Sequence, residues 1–109
     1  MKIQIQSPHF RASKSLTDLI REKVITLDKI DHKIESVEVT LVIENKRRAL
    51  SQGCHLLLRI KGKDIFTKAH SDSFERAAIL SVAAAKRILR KKKTKNMLRA
   101  LKENKFKTA

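Results

Sequence analysis

Cys54 and His55 are the one adjacent cysteine–histidine pair in this 109-residue chain, and both side chains belong to the metal-binding and nucleophilic repertoire. They lie in a run, Cys54 to Ile60, that alternates in period two. Neighbouring side chains of a strand face opposite ways, so the two cannot easily converge on one ion. The remaining histidines, His9, His32 and His70, are scattered. Cys54 therefore reads as a small core residue rather than a ligand or nucleophile. Carboxylates are sparse, and Glu22, Asp28, Asp31 and Glu35 sit mostly beside Lys or Arg, as on a solvated helix face and turn rather than in an acid/base pair. Two glycines do not make a phosphate loop. These residues predict no enzyme, no metal and no cofactor, and nothing in them selects a small-molecule substrate.

The abundant chemistry is cationic. Lys and Arg number 26 against 11 Asp and Glu, a net charge of +15. The excess is uneven: residues 1–70 carry a net +6 and residues 71–109 a net +9. A charge concentrated in the last third points to a polyanionic partner rather than to general solubility. Trp and Tyr are absent, and Phe10, Phe66, Phe74 and Phe106 are far apart in sequence, so no base-stacking platform is expected. The expected mode is recognition of phosphates and nucleic-acid shape.

Most of these cations depend on one helix for their placement. From Asp72 to Lys95 an alanine-rich segment runs without Gly or Pro into Lys86-Arg87-Ile88-Leu89-Arg90-Lys91-Lys92-Lys93. At 100° per residue, Phe74, Ala77, Ala78, Ser81, Val82, Ala85, Ile88 and Leu89 share one side, with Arg76, Lys86, Arg87 and Arg90 opposite. Asp72 is the expected N-cap, with Glu75 completing a capping box. Upstream, Lys2 to Gln6 alternates as a first strand. Leu16, Leu19, Ile20, Val24, Leu27 and Ile30 follow helical spacing behind the cap candidates Ser13 and Ser15, with Lys23 close to the apolar face. Val37, Val39, Leu41 and Ile43 form the inner side of a second strand. Cys54, Leu56, Leu58 and Ile60 form that of a third, whose outer side carries His55, Leu57, Arg59 and Lys61. Gly62 predicts a tight turn into a fourth strand, Asp64 to His70. Between the second and third strands, Glu44 to Gly53 reads as a basic loop around Lys46-Arg47-Arg48.

The predicted fold is α+β: a two-layer β-α-β-β-β-α arrangement with a four-stranded, largely antiparallel sheet and both helices on one face. The length fits one domain, drawn over residues 1–95, followed by a basic C-terminal extension, 96–109, expected to be mobile. Met97, Leu98 and Leu101 offer that extension a small apolar stripe. One cysteine excludes an intrachain disulfide and suits a reducing compartment. The alternation of Met1 to Gln6 is unlike a signal peptide, and no apolar run reaches membrane-span length, so a cytoplasmic, membrane-free protein is expected.

The opening Met1 to Phe10, the helix Leu16 to Leu27 followed by Asp28-Lys29, the strand Val37 to Glu44, and Ser73-Phe74-Glu75-Arg76-Ala77 leading to Lys86-Arg87-Ile88-Leu89 resemble the ribosome hibernation-promoting factors in their short form. These proteins are also called ribosome-associated translation inhibitors or ribosomal subunit interface proteins. The resemblance covers about residues 1 to 93. It implies the same β-α-β-β-β-α fold and binding to the small ribosomal subunit between head and body. There a basic surface would lie along rRNA and block the mRNA and tRNA sites in slow growth. The family's rRNA-facing positions fall on Lys86, Arg87 and Arg90, and on the first helix on Lys23. With Arg76, Lys91, Lys92, Lys93, Arg59 and Lys61 from the charge pattern, these make the expected rRNA-binding set. Ala83-Ala84-Ala85 departs from the bulkier and acidic residues common in the family, and the dimerising domain of its long form is expected to be absent. Charge alone also fits a stand-alone RNA- or DNA-binding protein reading phosphate backbone. Binding to an anionic membrane surface fits less well, because the apolar stripe of the second helix is needed for the core.

Overall fold

The computed structural model describes residues 1–8, 10–43 and 52–107, with side chains through Lys92. The elements are β1 (Lys2–Gln6), α1 (Lys14–Ile25) continued by a 3₁₀ turn (Thr26–Lys29), β2 (Ile34–Ile43), β3 (Gln52–Ile60), β4 (Ile65–Ser71) and α2 (Phe74–Lys107). The expected α+β order is present. The sheet runs β1-β2-β3-β4. β1 pairs parallel with β2 because the α1 crossover returns the chain in the same direction, and the other two pairs are antiparallel. Both helices pack on the sheet, and Val37, Val39, Leu41, Cys54, Leu56 and Leu58 are fully buried together with Ile20, Val24 and Leu27.

Local chemistry accounts for the element ends. Ser13 caps α1, its Oγ accepting from Leu16 N–H at 3.2 Å. Leu16, Ile20 and Val24 then bury one stripe, and the 3₁₀ turn carries Leu27 inward. Ile34 lies three residues before Val37, yet both are buried. A bulge reconciles them: Ile34 faces Ile60 and Ser36 faces Arg59, so Glu35 is the extra residue. At the other end of β2 Ile43 is 41% exposed, against its expected inner placement, because it lies at the strand's limit. Gly62 has φ 100°, a conformation that disfavours a side chain, and Lys63 N–H closes the turn on Ile60 O at 3.1 Å.

α2 corrects two sequence expectations. Its cap is Ser73, not Asp72: Ser73 Oγ accepts from Arg76 N–H at 3.2 Å, while Asp72 accepts from Ser71 Oγ. Its buried side is Ala77, Ala78, Ser81, Val82, Ala85 and Leu89, whereas Ile88 is 40% exposed. Leu89 takes the inward position and leaves Ile88 on the rim. The small residues let α2 lie close to the sheet, where Thr67 Oγ1 donates to Ser81 O at 3.1 Å. Phe10 stacks on Phe74 at 4.4 Å, tying the start of α2 to the segment before α1. Ser73→Ala should cost about 1 kcal/mol, read as a melting temperature lower by roughly 4–8 °C. An unchanged melting curve would contradict the cap.

The backbone of α2 continues unbroken to Lys107, through most of the segment drawn as the extension 96–109. The side chains of Lys93, Met97, Leu98, Leu101 and Phe106, together with His9, the loop cations Lys46, Arg47 and Arg48, and residues 108–109, lie outside the described residues.

Candidate nucleic-acid interface

An α-helix docked by one stripe must present the rest of its circumference to solvent. Among the described side chains of α2, the exposed ones are Glu75, Arg76, Ile79, Leu80, Ala83, Arg87, Ile88, Arg90 and Lys91. Four cations of the expected set therefore stand on the exposed side of one rigid element. Lys86 is half-buried at the flank rather than opposite the core, and so is Lys92. Arg76 lies 3.9 Å from Asp72, but both side chains are about two-thirds exposed and the pair is weak. Ile79 and Leu80, 46% and 47% exposed, form an apolar strip between Arg76 and Arg87 that helical periodicity did not single out. Its signal was available: two large apolar residues outside the helix's buried stripe.

Lys23 sits in the last turn of α1, half-buried as its place beside the apolar face required. Arg59 does not join the helix cations. Its neighbours Leu58 and Ile60 point into the core beneath the helices, so Arg59 projects from the opposite side of the sheet. There it meets Glu38 at 3.3 Å and Asp64 at 3.5 Å. Lys61 and Lys92 do come together. They line one open cleft with Lys33 and His32, residues that in sequence looked only like the exit from the first helix.

The open sheet face also differs from expectation. His55 meets Phe66 edge-on at 5.8 Å and His70 at 5.7 Å, and Phe66 is 56% exposed. Three rings distant in sequence form one cluster because β3 and β4 pair His55 with Lys68 and Gly53 with His70. A side chain at Gly53 would strike the His70 ring, at 2.7 Å from Cδ2.

Cys54 is fully buried, and burial pushes its thiol up, the Ser81 hydroxyl beside it acting in the opposite sense. A thiol held in that form is a poor nucleophile. Among the described residues no three His, Cys, Asp or Glu side chains come together as a metal site, and no helix is long and apolar enough to cross a membrane.

Residues 3–97 match the family model described as Sigma 54 modulation protein / S30EA ribosomal protein. Among solved structures, a ribosomal subunit interface protein from Coxiella burnetii superposes with a TM-score of 0.76 at 20% identity, covering 86% of this chain and 99% of that one. The N-terminal domain of Thermus thermophilus Protein Y gives 0.72 at 13% identity, covering 84% and 98%. At these identities the superpositions establish a shared fold. No curated protein sequence matches the chain.

Proposed function

The chain belongs to the Sigma 54 modulation protein / S30EA ribosomal protein family, and from that premise we propose that it is a cytoplasmic translation inhibitor that binds small-subunit rRNA and blocks the mRNA and tRNA sites during slow growth. The observation that supports this most directly is the exposed face of α2, where Arg76, Arg87, Arg90 and Lys91 stand free of the core. Glu75 is the one carboxylate between Phe74 and Lys102, so the helix's own sequence barely neutralises them. A row of guanidinium and ammonium groups along one helix suits phosphates along folded RNA, with Arg able to grip two oxygens at once. Residues 1–95 are the ribosome-binding body in this reading, and 96–109 a basic C-terminal extension.

Inhibition follows from occupancy. The buried Cys54 cannot attack rRNA, and the body offers bulk instead: its smaller dimensions are 29 and 19 Å, and α2 stretches the third to 60 Å. An object of that size in a groove shaped for mRNA and anticodon stems excludes them by mass action.

The test is sedimentation of the purified chain with small subunits across a salt series. With about six cations engaged, the log–log slope of affinity against salt should be roughly −4 to −5. A salt-independent association would sink the electrostatic account. Equal affinity for small subunits and for unrelated RNA or DNA would favour the stand-alone nucleic-acid binder. Primer extension after high-salt removal should show rRNA without new stops.

A further inference from the structure

The end of the molecule where the segment between the 3₁₀ turn and β2, the end of β3 and the turn of α2 around Lys92 converge holds a cleft of about 480 Å³. Its walls carry Lys33, Lys61 and Lys92, from three segments distant in sequence, with Asp31 and His32 beside them and Ile30 and Ile60 as the apolar part. We propose that this cleft is a nucleotide-binding site, its lysines holding the phosphate and its isoleucines packing against the ribose or base.

Four features of the cleft support that ligand. Its volume lies within the roughly 300–1,000 Å³ of ordinary small-ligand pockets, so a bare phosphate would leave most of it unfilled. Its formal charge is positive: three lysines face one aspartate, and among the described residues none of the three makes an ion pair. Ammonium groups that share an opening repel one another, and a bound phosphate reverses that repulsion. Ile30 is half-buried on the cleft wall and, with the buried Ile60 beside it, gives an apolar side that a polar anion alone would not use, whereas a nucleoside would.

The fold also holds the lysines in place. Asp31 Oδ1 accepts from Lys33 N–H at 2.9 Å, fixing the turn that brings Lys33 to the cleft. Lys63 N–H closes the turn just beyond Lys61. Lys92 is carried by a helix whose inward residue one turn earlier, Leu89, is 2% exposed. The same chemistry is met by a free nucleotide or by one nucleotide of an RNA chain, and the cleft adjoins the exposed α2 face, which Lys92 flanks.

The experiment uses the full chain with labelled isoleucine methyl groups, observed by NMR. The probes are inorganic phosphate, a mixture of the four ribonucleoside 5′-monophosphates, and a short single-stranded RNA of mixed sequence. The Ile30 and Ile60 signals are expected to move with the mononucleotides, identifying a free nucleotide, or with the RNA alone, identifying a nucleotide within a strand. Lys33→Ala with Lys61→Ala and Lys92→Ala should weaken that response roughly tenfold or more. Lys14→Ala with Arg21→Ala and Lys68→Ala removes equal charge elsewhere and should leave it in place. If the triple cleft variant does not fold, Lys33→Ala alone, at an exposed position, serves instead.

Three results would overturn the proposal: silent Ile30 and Ile60 signals with every probe, equal weakening by both triple variants, or inorganic phosphate binding as tightly as the nucleotides. Sedimentation of the same proteins with small subunits keeps the two readings apart. Retained sedimentation with silent isoleucines rejects the cleft alone.

Discussion

Replacing Arg87 and Arg90 together by glutamate is expected to weaken binding to small ribosomal subunits by on the order of 100-fold or more. Both side chains are exposed on the outward side of α2, and neither takes part in an ion pair among the described residues. Each reversal removes a charge-assisted hydrogen bond to phosphate and places a carboxylate where the anion would sit, so attraction becomes repulsion. Folding should be untouched, because exposed substitutions away from caps and buried networks usually stay within about 0.5 kcal/mol. The salt dependence should shallow at the same time, by about one unit of slope for each phosphate that is no longer neutralised. Sedimentation and thermal unfolding of the same preparation check both halves. A folded double variant that still sediments like the parent would remove the outward face of α2 from the interface.

Leu89→Ala should produce the complementary result, a loss of about 2–5 kcal/mol in folding stability with the outward cations intact. Leu89 is 2% exposed and is the last large side chain of α2 in the described core. The residues before it on the same stripe are Ala77, Ala78, Ser81, Val82 and Ala85, so this end of the helix depends on one branched side chain for most of its apolar packing. A small domain holds only about 5–15 kcal/mol in all, which makes the loss a large fraction of the total. Ile88→Ala, one position away but on the rim, should cost far less. Urea unfolding of the two variants side by side decides the matter, and equal losses would mean that the faces of α2 are wrongly assigned.

That pair also marks how far a sequence could be read. Periodicity assigned Ile88 and Leu89 alike to the apolar side, since each lies within the arc that a 100° step allows. The neighbour that each meets is a property of where the helix crosses the end of the sheet, and only packing chooses between them. The cap shows the same limit at shorter range. Asp72 and Ser73 are both good capping residues, and the chain's exit from β4 leaves Ser73 with its oxygen over the Arg76 amide.

Strand alternation, the helical spacing of Leu16, Ile20 and Val24, the glycine turn at Gly62 and the basic run after Ala85 were legible because each is a local pattern imposed by backbone geometry. Together they were enough for the α+β order and for a cationic helix. The assembly of those cations was not legible. Arg59 was placed on the outer side of its strand, yet only the position of both helices beneath the other side separates it from Arg87 and Arg90. Lys33, Lys61 and Lys92 are far apart along the chain and meet because the end of the 3₁₀ turn, the end of β3 and α2 reach the same end of the body. Phe66, His55 and His70 gather through strand register alone. Local propensity follows from a residue and its neighbours along the chain. Which charges and rings share a surface is set by pairing and packing between segments far apart in sequence, and this is what the tertiary structure decided.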